Sequence, residues 1–214
     1  ARFLRPAARG GRQKTAMEPL VLGLNSSHPD SSAVLMNKRG MIAGICEERI
    51  NRLRHCAVFP REAIREVLRM AGASIGDVTD VAFARDPYAN KGAKLAFIAK
   101  NPRGGCNRAK IRRGGKRPHQ KAEALHEQMG FTADQCKFNV HNVEHHLAHV
   151  ASSFYWSGFD KATAVSVDGS GDWCSVMAAR CEGSTIAVLH RTHPPHSLGI
   201  FYTTRCGFIG FNKF

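Results

Sequence analysis

The chain has 214 residues, 43% of them hydrophobic, which suffices for an ordinary core and excludes a collagen-like, low-complexity or globally disordered chain. A net charge of +14 invites a nucleic-acid reading, yet the excess is confined to two segments rather than spread over a folded face. No apolar run approaches the roughly 18 residues that a membrane helix needs, so a spanning helix is not expected.

In chain order, residues 1–16 hold Arg2, Arg5, Arg9, Arg12 and Lys14 and no acid. That loosely resembles a transit peptide, but Met17 stands directly before the first strand pattern, so 1–16 read as a disordered leader and the folded part as 17–214. Leu20–Leu24 is a short apolar run, a buried strand. After the polar turn Asn25–Ser32 come two more strands, Ala33–Met36 and Met41–Cys46, joined by the hairpin-like Asn37-Lys38-Arg39-Gly40. Pro60 opens a helix at its favoured first position, Ala63, Ile64, Val67, Leu68 and Ala71 recur at helical spacing, and Gly72 closes it. Val81–Ala84 is a fourth strand. Residues 85–121 are rich in Gly, Lys and Arg with weak periodicity and read as a basic insertion, partly helical. A short helix is expected over 121–130 and a longer one over Val143–Tyr155, ended by Ser157-Gly158. Ala162–Val167, Ser175–Ala179 and Thr185–Leu189 form a second three-stranded meander, and another helix starts near Ser197.

The order β-β-β-α-β-α followed by a second β-β-β predicts an α/β, actin/hexokinase-like (ASKHA-type) nucleotide-binding fold. In such a fold two related lobes face a cleft and the first turn of each meander faces the ligand. The second lobe is expected to be truncated in this chain.

Residues 91–121 carry eleven Lys/Arg and no acid, and with 1–16 they account for the entire positive excess, leaving −2 for the rest. No aromatic residue interleaves the charges between Arg103 and Lys121, so there is no stacking platform for single strands and no specific nucleic-acid partner is expected. The seven cysteines include no C-x-x-C pair, which argues against a zinc knuckle or a disulfide framework; scattered free thiols fit a reducing cytoplasm.

Four stretches bear chemistry. His145-His146-Leu147-Ala148-His149 puts two imidazoles at i and i+4 on one helix face, where both can reach one metal ion at about 2.1 Å; the alternative is a surface or satisfied core histidine. Asp168, in Val167-Asp168-Gly169-Ser170-Gly171-Asp172, ends a buried strand before glycines that let a phosphate or metal approach the backbone; it is a third ligand or the head of an Asx-type turn. His28 and Asp30 sit in the turn after the first strand, as proton-shuttling or substrate-contacting groups or as ordinary turn residues. Glu47-Glu48-Arg49, followed by Arg54-His55 and Phe59-Pro60, is read as capping or ion-pairing rather than as a catalytic carboxylate pair.

Taken in order, H-x-D-S-S-A at His28–Ala33, E-E-R at Glu47–Arg49, the basic-His pair Arg54-His55 with Phe59-Pro60, V-E-H-H-L-A-H at Val143–His149, V-D-G-x-G-D at Val167–Asp172 and P-H-S-L-G-x-x-Y at Pro195–Tyr202 resemble the O-carbamoyltransferases of the nodulation-factor and antibiotic-tailoring type. The resemblance runs from Leu20 to Phe211. It implies an actin-like N-terminal domain that passes a carbamoyl group to a hydroxyl acceptor, a sugar or natural product. It also implies a C-terminal domain, absent from this chain, that makes carbamoyl-adenylate from ATP and carbamoyl phosphate. By the same resemblance, Fe²⁺ or another divalent metal is held by His145, His149 and Asp168 with a fourth ligand beyond Phe214. Gly169 and Gly171 flank the cofactor, and His28 and Asp30 sit beside the carbamoyl group. On this reading the chain is an N-terminal carbamoyltransferase fragment, cytoplasmic and inactive alone. The rival readings are a hydrolase that uses metal-bound hydroxide, a non-catalytic truncated paralogue that binds metal or nucleotide, and a basic nucleic-acid-binding protein.

Overall fold

The structure, a computed structural model, describes residues 18–26, 28–101, 122–135 and 137–211. Strand β1 (Val21–Asn25) runs antiparallel to β2 (Ser32–Asn37), which pairs antiparallel with β3 (Gly40–Cys46). A single-turn helix α1 (Glu48–Asn51) and helix α2 (Arg61–Ala71) lead to β4 (Asp80–Phe83), which returns parallel to β1. Helices α3 (Lys91–Lys100) and α4 (Ala122–Met129) precede β5 (Asn139–Asn142), parallel to β4. The sheet order is therefore β3-β2-β1-β4-β5, the topology of one lobe of an actin-like fold. Helix α5 (His145–Ser157) then crosses to a second antiparallel sheet of β6 (Lys161–Gly171), β7 (Cys174–Glu182) and β8 (Thr185–Thr192), and α6 (Leu198–Phe208) follows.

Among the described residues two apolar cores form. The face of α2 bearing Ala63, Ile64, Val67 and Leu68 packs on Leu22, Leu24, Leu35, Val81 and Phe83 of the first sheet. Each such side chain, fully buried, stabilises the fold by about 1.5–3 kcal/mol relative to exposure. In the second core Val150 and Phe154 of α5 cover Met177, Ala179 and Cys181 of β7. Glu47 is buried at 4% exposure because its carboxylate accepts the backbone N–H groups of Glu62 (3.2 Å) and Ala63 (2.8 Å) at the start of α2. This is the capping role expected for the Glu47-Glu48-Arg49 stretch.

Several boundaries differ from expectation. Pro60 is the N-cap of α2 rather than its first residue, so the helix starts one residue later than predicted. Strand β5 was not foreseen: Asn139-Val140-His141-Asn142 has one apolar residue, and its pairing to β4 is what makes it a strand. Strand β6 continues to Gly171 through a register shift between Val167 and Gly171, so Asp168 lies within the strand rather than after it. Of the basic stretch, 91–100 form α3; residues 102–121, the expected leader 1–16 and the last three residues lie outside the described part. Cys46, Cys56, Cys174, Cys181 and Cys206 are free thiols. Among the described residues no helix is long and apolar enough to cross a membrane.

Candidate metal centre

Three parallel strands, β1, β4 and β5, end at the same edge of the first sheet, and β1 is where the strand order reverses from β2 to β4. Crevices at the carboxyl ends of strands at such a reversal are the usual ligand sites of open α/β sheets. Helix α5 starts directly from β5 at that edge: the Val143 N–H bonds the Phe83 carbonyl at 2.9 Å. Its first residue, His145, is placed by a long-range cap, because the Asp172 carboxylate accepts the His145 backbone N–H (2.8 Å) and that of Asp86 (2.8 Å). Asp172 can do this because Asp172-Trp173 make the tight turn between β6 and β7, both with positive φ (48° and 64°).

This clamp brings the second sheet's Asp168 against α5. His145 Nε2 lies 2.9 Å from Asp168 Oδ2 and 3.1 Å from His149 Nε2. A single ring N–H cannot satisfy both neighbours, so acceptor lone pairs converge on one point, an arrangement that suits a cation. Ligands about 2.1 Å from one ion and at right angles to one another stand about 3.0 Å apart, which matches both separations. The donor set of two imidazoles and one carboxylate suits iron, zinc or another divalent transition metal. Burial holds His149 below the usual histidine pKa, helped by the neighbouring His145, so this ring is neutral and able to ligate at neutral pH. Burial also opposes ionisation of Asp168, but hydrogen bonds from His145 and the Gly169 N–H prevail and lower its pKa.

The third histidine of the cluster differs. His146 is fully buried, donates from Nε2 to the Cys174 carbonyl at 3.0 Å and accepts at Nδ1 from the Ser166 hydroxyl at 2.9 Å. It is a satisfied core residue, and only its two neighbours one turn apart form the candidate metal pair.

The other expected site residues divide. His28 joins the cluster: its ring centroid is 5.8 Å from that of His145, and together they line a small crevice with Asn25, Ser26, Phe83 and Arg85. Burial and the Arg85 charge lower the pKa of His28, which keeps it neutral. Asp30 does not join; its carboxylate turns to His55 Nδ1 at 2.9 Å. A Cβ at Gly171 would overlap the His145 ring, so the close approach at this glycine is made by the metal helix itself. A Cβ at Gly169 would meet nothing within 4 Å, while its N–H is taken by the Asp168 carboxylate at 2.6 Å.

Sequence reasoning missed three contributors, each defined by distant partners. Arg85, after β4, lines the crevice, stands 3.8 Å from Asp172 and has a buried Nε without a hydrogen-bond partner among the described residues. Gly199, in the first turn of α6, lies so close to the Asp168-Gly169 backbone that no side chain fits, and the Ser197 hydroxyl donates to the Gly169 carbonyl at 2.6 Å. Glu144, just before α5, takes Arg191 in a two-pronged pair (3.1 and 2.7 Å) and Asn90 at 2.8 Å.

Burial opposes ionisation of Glu144, but the bonds from Arg191 and Asn90 win and lower its pKa below the ordinary 4.5. A depressed carboxylate contributes stability that is fully present above its unfolded value and is lost as pH falls through its folded value. Thermal melts should therefore show the wild type losing stability as pH drops below about 4.5. Glu144→Gln should be less stable at neutral pH and less sensitive to acid; parallel pH profiles for the two proteins would contradict this.

Residues 20–214 match the sequence profile of the family described as "Carbamoyltransferase N-terminus". The chain belongs to this family. Among the relatives of this family member is Nodulation protein NolNO of Sinorhizobium fredii, 28% identical over 206 residues that make up 96% of this chain and 29% of that protein. Uncharacterized protein sll1178 of Synechocystis is 28% identical over 200 residues, 89% of this chain and 32% of that one. The carbamoyltransferase N-terminal chain thus spans about three tenths of the length of these relatives. Among solved structures it is similar to YeaZ from Pseudomonas aeruginosa, at 16% identity and a TM-score of 0.40, covering 82% of this chain and 69% of the other.

Proposed function

We propose that these residues form the transfer site of an O-carbamoyltransferase, which moves a carbamoyl group from carbamoyl phosphate, by way of carbamoyl-adenylate made with ATP, to a hydroxyl of a small sugar or natural product. The observation that carries this reading is the convergence of His145, His149 and Asp168 beside His28 and Arg85, at the carboxyl-end edge of the first sheet. A divalent ion held by the two imidazoles and the carboxylate, Fe²⁺ by family resemblance, would supply Lewis-acid polarisation of the carbamoyl oxygen or charge neutralisation at the adenylate phosphate. The chain's own groups do the rest. Neutral His28 offers a hydrogen bond to the carbamoyl group without adding charge, and Arg85 supplies a fixed cation for the anionic part of the donor.

The test joins this chain to the remaining length of a relative such as NolNO and supplies the joined protein with ATP, radiolabelled carbamoyl phosphate, Fe²⁺ and a panel of sugars and polyols; the 214-residue chain alone should give no label. ATP-dependent label should appear in an acceptor hydroxyl and fall by about 10²–10³-fold in Arg85→Ala, the range for removing one preorganised transition-state contact. Label that reaches no acceptor, or reaches it equally in both proteins, would refute the reading.

A further inference from the structure

The turn after β1 and the segment after α1 bring together a second pair of chemistry-bearing side chains outside the metal set. We propose that His55, oriented by Asp30, is the base that takes the proton of the acceptor hydroxyl; this rests on the carbamoyl-transfer reading above.

The geometry is that of a carboxylate-oriented imidazole. His55 Nδ1 lies 2.9 Å from Asp30 Oδ1. A carboxylate accepts, so Nδ1 donates to Asp30, and an imidazole with a single proton then keeps its lone pair on Nε2. That nitrogen has no hydrogen-bond partner among the described residues. Both side chains are about half exposed, 45% and 54%, so an acceptor arriving from solvent can reach them.

The pair is held from both sides. Asn25 donates to the Asp30 carbonyl at 3.1 Å, while the Ser31 N–H reaches the Cys56 carbonyl at 3.3 Å and its hydroxyl the Val58 carbonyl at 2.6 Å. The His55 N–H is taken by Glu48 Oε2 at 3.1 Å. Asp30 and His55 both adopt left-handed φ (63° and 53°), a conformation non-glycine residues avoid, and these bonds keep them in it. Asp30 is two residues from His28, whose ring lies 5.8 Å from that of His145, and the Ser31 hydroxyl donates to the His28 carbonyl at 3.1 Å, so the dyad and His28 share one tied turn.

In the step proposed, the acceptor O–H proton passes to His55 Nε2 and the freed oxygen bonds the carbamoyl carbon. The bond from that carbon to the adenylate phosphate breaks, AMP leaves with the electron pair, and the proton passes from Nε2 to water. His55 is the catalytic residue of this step and Asp30 its positioning residue.

The test compares wild type, His55→Gln and Asp30→Asn, each joined in the same way to the remaining length of a relative, with ATP, carbamoyl phosphate and two acceptors, an aliphatic alcohol and trifluoroethanol. General-base assistance is worth about 10²–10⁴-fold. His55→Gln should therefore lower kcat toward the aliphatic alcohol by about 100-fold or more. KM should change little, and the loss toward trifluoroethanol, whose acidic hydroxyl needs less help, should be far smaller. Asp30→Asn should show the same selectivity to a lesser degree, because the amide reverses the tautomer. Equal losses toward both alcohols, or none, would overturn the assignment while leaving the transfer reading intact. Transfer by wild type to neither alcohol would overturn both. Nitrogen NMR of the imidazole needs no turnover: a wild-type His55 whose single ring proton sits on Nε2 also overturns the proposal.

Discussion

Replacing His149 with alanine should leave the fold intact and weaken divalent-metal binding by about 100-fold or more, given that loss even of an outer-shell partner costs 10–100-fold. Much of His149 is exposed on α5 while its ring tip is desolvated in the cluster; among the described residues that ring nitrogen bonds only His145, and alanine is the best helix former, so little stability is at stake. What is lost is one of three donors. The informative control is the adjacent His146, fully buried and bonded at both ring nitrogens. His146→Ala opens a cavity and strands the Cys174 carbonyl and the Ser166 hydroxyl, costing on the order of 3 kcal/mol. Metal analysis after gel filtration, with melts in the presence and absence of Fe²⁺ or Co²⁺, separates the outcomes. Metal should raise the melting temperature of the wild type and not of His149→Ala, since only a ligand that binds the folded state stabilises it. Equal metal retention in wild type and His149→Ala would refute the proposed centre.

The second large effect is expected at Gly171. A methyl group there would occupy the volume of the His145 ring. Because the strand on one side and the capped helix on the other cannot both yield, Gly171→Ala should cost about 1–3 kcal/mol as overpacking and push His145 off Asp168. Gly169→Ala, two residues earlier with open space above it, should be close to neutral in stability. The same melts and metal analysis decide the matter. Equal tolerance at both positions would show that His145 has another place to go, and the packing account would fail.

Much of this site was legible in the sequence because its determinants are local. The i, i+4 histidines announce a shared helix face, the apolar alternation of β1–β3 and the Gly72 stop are read within a few residues, and the D-G-x-G stretch flags a special strand end. The parts that escaped are defined by tertiary partners. Val140 alone could not reveal β5, whose pairing with β4 does most of the work of making it a strand. Asp172 reads as the last residue of a turn, and only the fold shows that it caps α5 from 27 residues away. Asp30 and His55, 25 residues apart, meet only because the 55–58 segment is tied to the β1–β2 turn. His145 and His146 are equivalent by composition, and the pairing of α5 with β6 and β7 is what sends one to the centre and the other to the core.

The distances along the chain carry one more consequence, for the entropy of assembly. His145 and Asp168 are 23 residues apart, whereas His28 reaches His145 across 117. Loop-closure entropy grows as (3/2)RT ln n, so bringing His28 to the cluster costs about 1.4 kcal/mol more than bringing Asp168 there. The three metal donors therefore form the inexpensive part of the site, closed within one helix and one hairpin. The crevice beside them exists only once the long-range parallel pairing of β1 with β4 has formed. Conditions that loosen the first sheet should open the crevice before they scatter the metal donors.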